Sequence, residues 1–193
     1  MRNKFDQELS NMHDDLISMA AMVETAISRA VEALKYRDAS LAKLLQEKDH
    51  EIDQKERAIE SSCLKLLLQQ QPVARDLREI STALKMITDL ERIGDLAEDI
   101  GEVTLFLCDT PGYHAPKQLS YMAEATIRMV RDSIDSFVAK DLKKAHSVIE
   151  YDDVVDKLFN ETRSELIGRI HESITEAEQA MDSMMIAKYF ERI

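Results

Sequence analysis

Asp49 with Asp53, Glu91 with Asp95, and Asp152 with Asp156 are acidic pairs at four-residue spacing. On an α-helix, residues four apart share one face, with about 6 Å between them. Like charges so placed repel each other by roughly a few tenths of a kcal/mol. A divalent cation between them would remove that penalty, because carboxylate oxygens are the natural ligands of hard and borderline ions. Glu98, Asp99 and Glu102 prolong the acidic surface beyond Asp95. Coordination of a divalent metal is therefore the chemistry these side chains could do. On a helical wheel the pairs lie at the rim of the apolar stripes or away from them, so a surface or a groove is expected. A ferritin-like di-iron centre, built from inward Glu-x-x-His elements, is not. The histidines His13, His50, His114, His146 and His171 are expected to be surface or satisfied side chains, with His50 next to Asp49 the one placed to join a site.

The elements that carry these pairs are helical. Gly occurs 4 times and Pro 3 times in 193 residues, too few for the turns of a many-stranded sheet. Leu9, Met12, Leu16, Met19, Val23, Ala26 and Ala30 recur at alternating gaps of three and four and form one stripe of a first helix. Leu41, Leu45, Ile52, Ile59, Cys63 and Leu66 mark a second, with Asp38 as its N-cap and Pro72 as its stop. Leu77, Ile80, Ala83, Ile87, Leu90, Ala97 and Ile100 mark a third. The stretch 109–116 holds two of the three prolines and a glycine and reads as a linker. The pattern then restarts: Leu119 to Phe137, Asp141 to Ile170, and Ile174 to the last residue.

The restart is an internal repeat. Asp38, Leu45, Asp49, Ile52 and Asp53 meet Asp141, Val148, Asp152, Val155 and Asp156 at an offset of 103, and Leu90-Glu91-Arg92-Ile93 meets Phe190-Glu191-Arg192-Ile193 at 100. The expected fold is all-α: two tandem antiparallel three-helix bundles, residues 1–108 and 118–193, joined by 109–117, with the last helix truncated. Net charge is −12, which opposes nucleic acid and anionic lipid and argues against tight anion binding on the acidic surface. The N-terminus lacks a signal-peptide core, no apolar run could span a bilayer, and Cys63 and Cys108 read as reduced, buried thiols. A cytoplasmic protein is expected, with a homodimer as its default assembly.

The run Gln71-Pro72-Val73-Ala74-Arg75-Asp76-Leu77-Arg78, followed by Leu90-Glu91-Arg92-Ile93-Gly94-Asp95, resembles the PhoU family over essentially the whole chain. The resemblance implies a cytoplasmic regulator rather than an enzyme. It would hold down phosphate uptake and phosphate-starvation signalling through contacts with the phosphate ABC transporter and a sensor histidine kinase. It also implies a divalent metal or a multinuclear iron or zinc cluster, held by Asp49, Asp53, Glu91 and Asp95 at one site and by Asp152, Asp156 and Glu191 at a second. The family's second motif continues past the position of Ile193, so the second site lacks its fourth carboxylate. The Arg75 and Arg78 pair after Pro72 could face a partner. The alternative is a metal-dependent hydrolase, or a metal-binding helical scaffold, using the same carboxylates.

Overall fold

The computed structural model describes residues 2–70 and 73–193, and the side chains of all of these except 2, 3, 47, 69 and 70. The helix stop expected at Pro72 lies outside the described residues. Six α-helices follow one another: α1 Arg2–Tyr36, α2 Ala39–Gln70, α3 Ala74–Cys108, α4 Lys117–Ala139, α5 Leu142–Glu172 and α6 Ala177–Arg192. A 3₁₀ turn over Ile174–Glu176 leads into α6, where the periodicity alone predicts a helix from Ile174. Helices α1, α2 and α3 pack on one another, as do α4, α5 and α6. The two bundles meet through α1 on α4 and α3 on α6, which are corresponding helices of the repeat.

The apolar stripes become the core because each side chain leaves water on packing against its neighbour helix. Met12, Leu16, Met19, Val23, Ala26 and Ala30 of α1 are all buried, as are Ile52 and Ile59 of α2 and Ile80, Ile87 and Ile100 of α3. Phe190 and Ile186 of α6 join the same hydrophobic cluster, so one continuous core runs through both bundles. Leu77 departs from its stripe. It lies in the first turn of α3 and is 49 % exposed. Both cysteines are free; Cys63 is buried, but Cys108 at the end of α3 is only half-buried.

The repeat is written into the backbone at the first connection of each half. Arg37 and Lys140, 103 residues apart, both adopt the left-handed conformation at φ 54° and 57°. The next amide closes the helix end in each case: Asp38 N donates to Ala33 O at 2.9 Å and Asp141 N to Ser136 O at 2.8 Å, a Schellman ending. The same aspartates then start the following helix. Asp38 Oδ1 accepts from the amides of Ser40 and Leu41, and Asp141 Oδ1 from those of Lys143 and Lys144. Two non-glycine residues tolerate a conformation that costs about 1 kcal/mol because a C-terminal closure and an N-cap are satisfied together.

Polar contacts cross between the bundles. Lys140 Nζ donates to Glu79 Oε2 at 2.8 Å, and Glu79 is buried. His13 Nε2 stands 2.9 Å from Glu79 Oε1, at ion-pair distance though outside hydrogen-bond angle, with its ring edge-on to Phe137. Arg131 of α4 pairs with Glu24 of α1, and Tyr113 Oη meets Ser183 Oγ at 2.9 Å. His13, expected as a surface or satisfied histidine, is instead packed between the bundles with Nε2 buried and without a hydrogen-bond partner.

Candidate functional site

Two glycines bring α2 and α3 together. A Cβ on Gly101 would stand 2.6 Å from Leu45 Cδ1 and 3.2 Å from the Ala42 carbonyl oxygen. One on Gly94 would stand 3.0 Å from Ile52 Cδ1 and 3.3 Å from Asp49 Oδ1. The seven-residue spacing of these glycines puts both on the face of α3 that meets α2. The backbones approach closely there, and the acidic residues flanking that seam are forced into one shallow groove.

Antiparallel pairing then sets acid against acid in rungs. Gln46 Nε2 of α2 donates to Glu102 Oε1 of α3 at 3.2 Å. On the next rung Asp49 meets Glu98, followed by Asp53 with Asp95 and Glu56 with Glu91. The electrostatics follow from this crowding. Glu98 is pushed up to about 7, first by partial burial and then by the charges of Asp49, Glu102, Asp95 and Asp99. Asp49 is raised by burial and by Asp95 and Asp53, while a hydrogen bond shared with Glu98 offsets part of that rise. Glu91 and Asp95 are raised by burial and by their acidic neighbours, and Arg92 pulls Asp95 partly back. Asp99 is raised in the same way, with Arg192 opposing. Arg57 Nη2, 3.4 Å from Asp53 Oδ2, is one of the few counter-charges in the groove.

The structure therefore brings Asp49, Asp53, Glu91 and Asp95 into one groove and adds Glu98. Sequence reasoning placed Glu98 on the acidic surface but not in the site. The missing signal was the α2/α3 register, which Gly94 and Gly101 at seven-residue spacing could have supplied. The second set is not assembled in the same way. Asp152 and Asp156 are exposed on α5. Glu191 on α6 pairs with Lys188 of its own helix, and that ammonium also stands 5.4 Å over the Phe159 ring. Among the described residues no hydrogen bond joins Glu191 to either aspartate of α5. His50 is exposed, so the one Glu-x-x-His spacing, Glu47 to His50, does not point its imidazole into the bundle.

An all-oxygen donor set suits a hard or borderline divalent ion. Asp49 Oδ1 is buried against Gly94 and accepts no hydrogen bond, an orphaned carboxylate oxygen at the seam. Among the described residues no three acidic, histidine or cysteine side chains converge into a ready cage. The donor chemistry of the groove is of the kind that suits a divalent cation.

The chain as a whole is similar to known proteins. The PhoU domain family model matches residues 16–104 and again 119–193, most of the chain. The chain belongs to the PhoU family. A relative from Clostridium acetobutylicum, a phosphate-specific transport system accessory protein PhoU homolog, is 35 % identical across all of this chain and 88 % of its own. One of the same description from Aquifex aeolicus is 36 % identical over 98 % of this chain and 86 % of its own. The crystal structure of PhoU from Pseudomonas aeruginosa superposes with a TM-score of 0.90 at 31 % identity, covering 97 % of this chain and 90 % of that one. PhoU membership accounts for the duplicated helical architecture. The Leu90-Glu91-Arg92-Ile93-Gly94-Asp95 run lies inside the first matched range, with Gly94 at the seam and Glu91 and Asp95 beside it.

Proposed function

We propose that this protein is an accessory regulator of a phosphate-specific transport system, acting by binding rather than by catalysis. The observation that carries the reading is the full-length likeness to accessory proteins of that system, in fold and in sequence together. It restrains phosphate uptake and the starvation response when phosphate is plentiful, through contacts with the transporter and its sensor histidine kinase, and it works in the cytoplasm as a homodimer. No helix among the described residues is long and apolar enough to cross a membrane, so contact with the transporter would be made through exposed faces. A divalent ion in the α2/α3 groove supplies positive charge that the carboxylates lack, and it fixes the relative position of the two helices.

Any regulatory effect must come from differential binding to two states of a partner. A rigid bundle with a metal-dependent face meets that requirement if the loaded face binds one state better. The test is deletion of the gene, with phosphate uptake and alkaline phosphatase measured at high phosphate. Raised uptake and raised phosphatase are expected, and unchanged levels would refute the regulatory reading. The metal assignment is tested separately by elemental analysis of the purified protein beside Asp49→Asn/Asp53→Asn. Equal metal content in the two would remove that assignment while leaving the regulatory one.

A further inference from the structure

The last turn of α1, the 109–116 connection and the first turn of α4 enclose a cavity of about 360 Å³. Its apolar walls are Val31, Leu34, Tyr113 and Leu119, its charged lining is Lys35, Arg37 and Lys117, and His114 lies beside them. No carboxylate lines it, although the chain carries 37 acidic residues against 25 basic ones. Nor do any of those four basic side chains form an ion pair among the described residues. Asp38, Asp109 and Asp182, which act on Cys108 and Tyr113, lie outside the lining.

Structural roles account for only part of this charge. Lys35 sits at the C-terminal end of α1, where a cation complements the helix dipole. Arg37 Nη2 closes the end of α3 by donating to the carbonyls of Cys108 at 2.5 Å and Thr110 at 2.6 Å. That leaves Arg37 Nε buried with no acceptor. Lys117 is harder to explain, because it opens α4, the positive end of a helix, where a second cation is unfavourable. No side chain caps α4, although the Leu119 amide donates to the Pro116 carbonyl at 3.1 Å, and Ser120 adds a hydroxyl to the lining. An anion in the recess would give these cations the counter-charge that no carboxylate of the lining supplies.

We propose that this cavity binds a small phosphate-class oxyanion, either inorganic phosphate or the phosphoryl group of a small phosphate ester. Guanidinium, ammonium and amide donors around an apolar-walled recess are the recognition chemistry of such groups, and the volume falls in the range of small-molecule sites. The net charge of −12 does not forbid it, since charges more than about 8 Å away are screened at physiological salt. The inference does not rest on the transport reading, and its failure would leave that reading standing.

The test is calorimetric titration of the full chain with potassium phosphate, pyrophosphate and AMP in about 0.15 M sodium chloride. Binding is expected, weakened at least about tenfold in Lys35→Gln/Lys117→Gln and unchanged in a control of equal charge change, Lys48→Gln/Lys65→Gln. Response to phosphate, or to AMP alone, tells the free ion from the ester. Amide shift mapping on the unaltered protein gives an independent readout, with changes expected at 35–37 and 117–120 and none with added chloride. No heat and no shifts with any of the three anions up to about 10 mM would overturn the proposal. Equal weakening in the control pair would do so as well.

Discussion

Glu98→Gln gives the most direct test of the α2/α3 groove. The Glu98 carboxyl is held at about 7, against an ordinary value of 4.5, by partial burial and by Asp49, Glu102, Asp95 and Asp99. The folded protein therefore keeps a proton through a range in which the unfolded chain has released it. Stability from this group is present at the acid end and is lost as pH rises from 4.5 through about 7. A displacement of that size corresponds to about 3 kcal/mol between the two protonation states. Glu98 is only half-buried, and solvent screening reduces its contribution to about 1 kcal/mol. Glutamine keeps the shape and removes the charge. The variant should match the unaltered protein near pH 5 and exceed it by about 1 kcal/mol at pH 8, a gain of about 2–4 °C in melting temperature for a chain of this size. The assay is thermal unfolding across pH 5–8 in EDTA at fixed ionic strength. A difference that is flat with pH, or one that grows toward acid, would refute the electrostatic account.

Four further outcomes follow from the same structure. Gly101→Ala should destabilise by about 1 kcal/mol net, overpacking against Leu45 and the Ala42 carbonyl outweighing the gain in helix propensity, while Gly168→Ala, in open space on α5, should stabilise by about 0.5–1 kcal/mol; urea unfolding compares the two. Lys140→Met should cost about 1–3 kcal/mol by leaving buried Glu79 without its ammonium, and most of that loss should vanish in a Glu79→Gln background, as a double-mutant cycle would measure. A divalent ion bound in the groove should raise the melting temperature in proportion to the logarithm of its concentration, and Asp49→Asn/Asp53→Asn should abolish the rise. Thiol labelling of the native protein should modify Cys108 well before Cys63, whose thiol is buried and pushed up to about 11.

Much of the fold was legible because the repeat is carried by residues with local jobs. Asp38 and Asp141 cap helices through their own neighbours, so their recurrence at a fixed offset could be read without any knowledge of tertiary contacts. The apolar stripes of α1 to α3 were readable for the same reason, since helical spacing alone decides which side chains share a face. The pairs in the groove were legible as pairs, but their partners were not. Which rung of α2 meets which rung of α3 depends on how deeply the helices interlock, and that depth is set by Gly94 and Gly101, residues that a search for charged groups passes over. Symmetry of sequence also overstated symmetry of site. Glu191 matches Glu91 in the repeat, yet Lys188 occupies its surroundings with a cation, whereas the corresponding position before Glu91 is Thr88. The Glu79, Lys140 and His13 cluster was invisible because its members come from three helical elements far apart in the chain.

The apolar interior passes without a break from one triple-helical half into the other. Neither copy can melt while its twin stays intact, since each would be left with an oily flank in water. The protein should lose its structure in a single step. A gene split at the 109–116 segment would make two fragments that are soluble only when they find each other. Duplication here has produced not two modules on a string but a pair of halves that depend on one another.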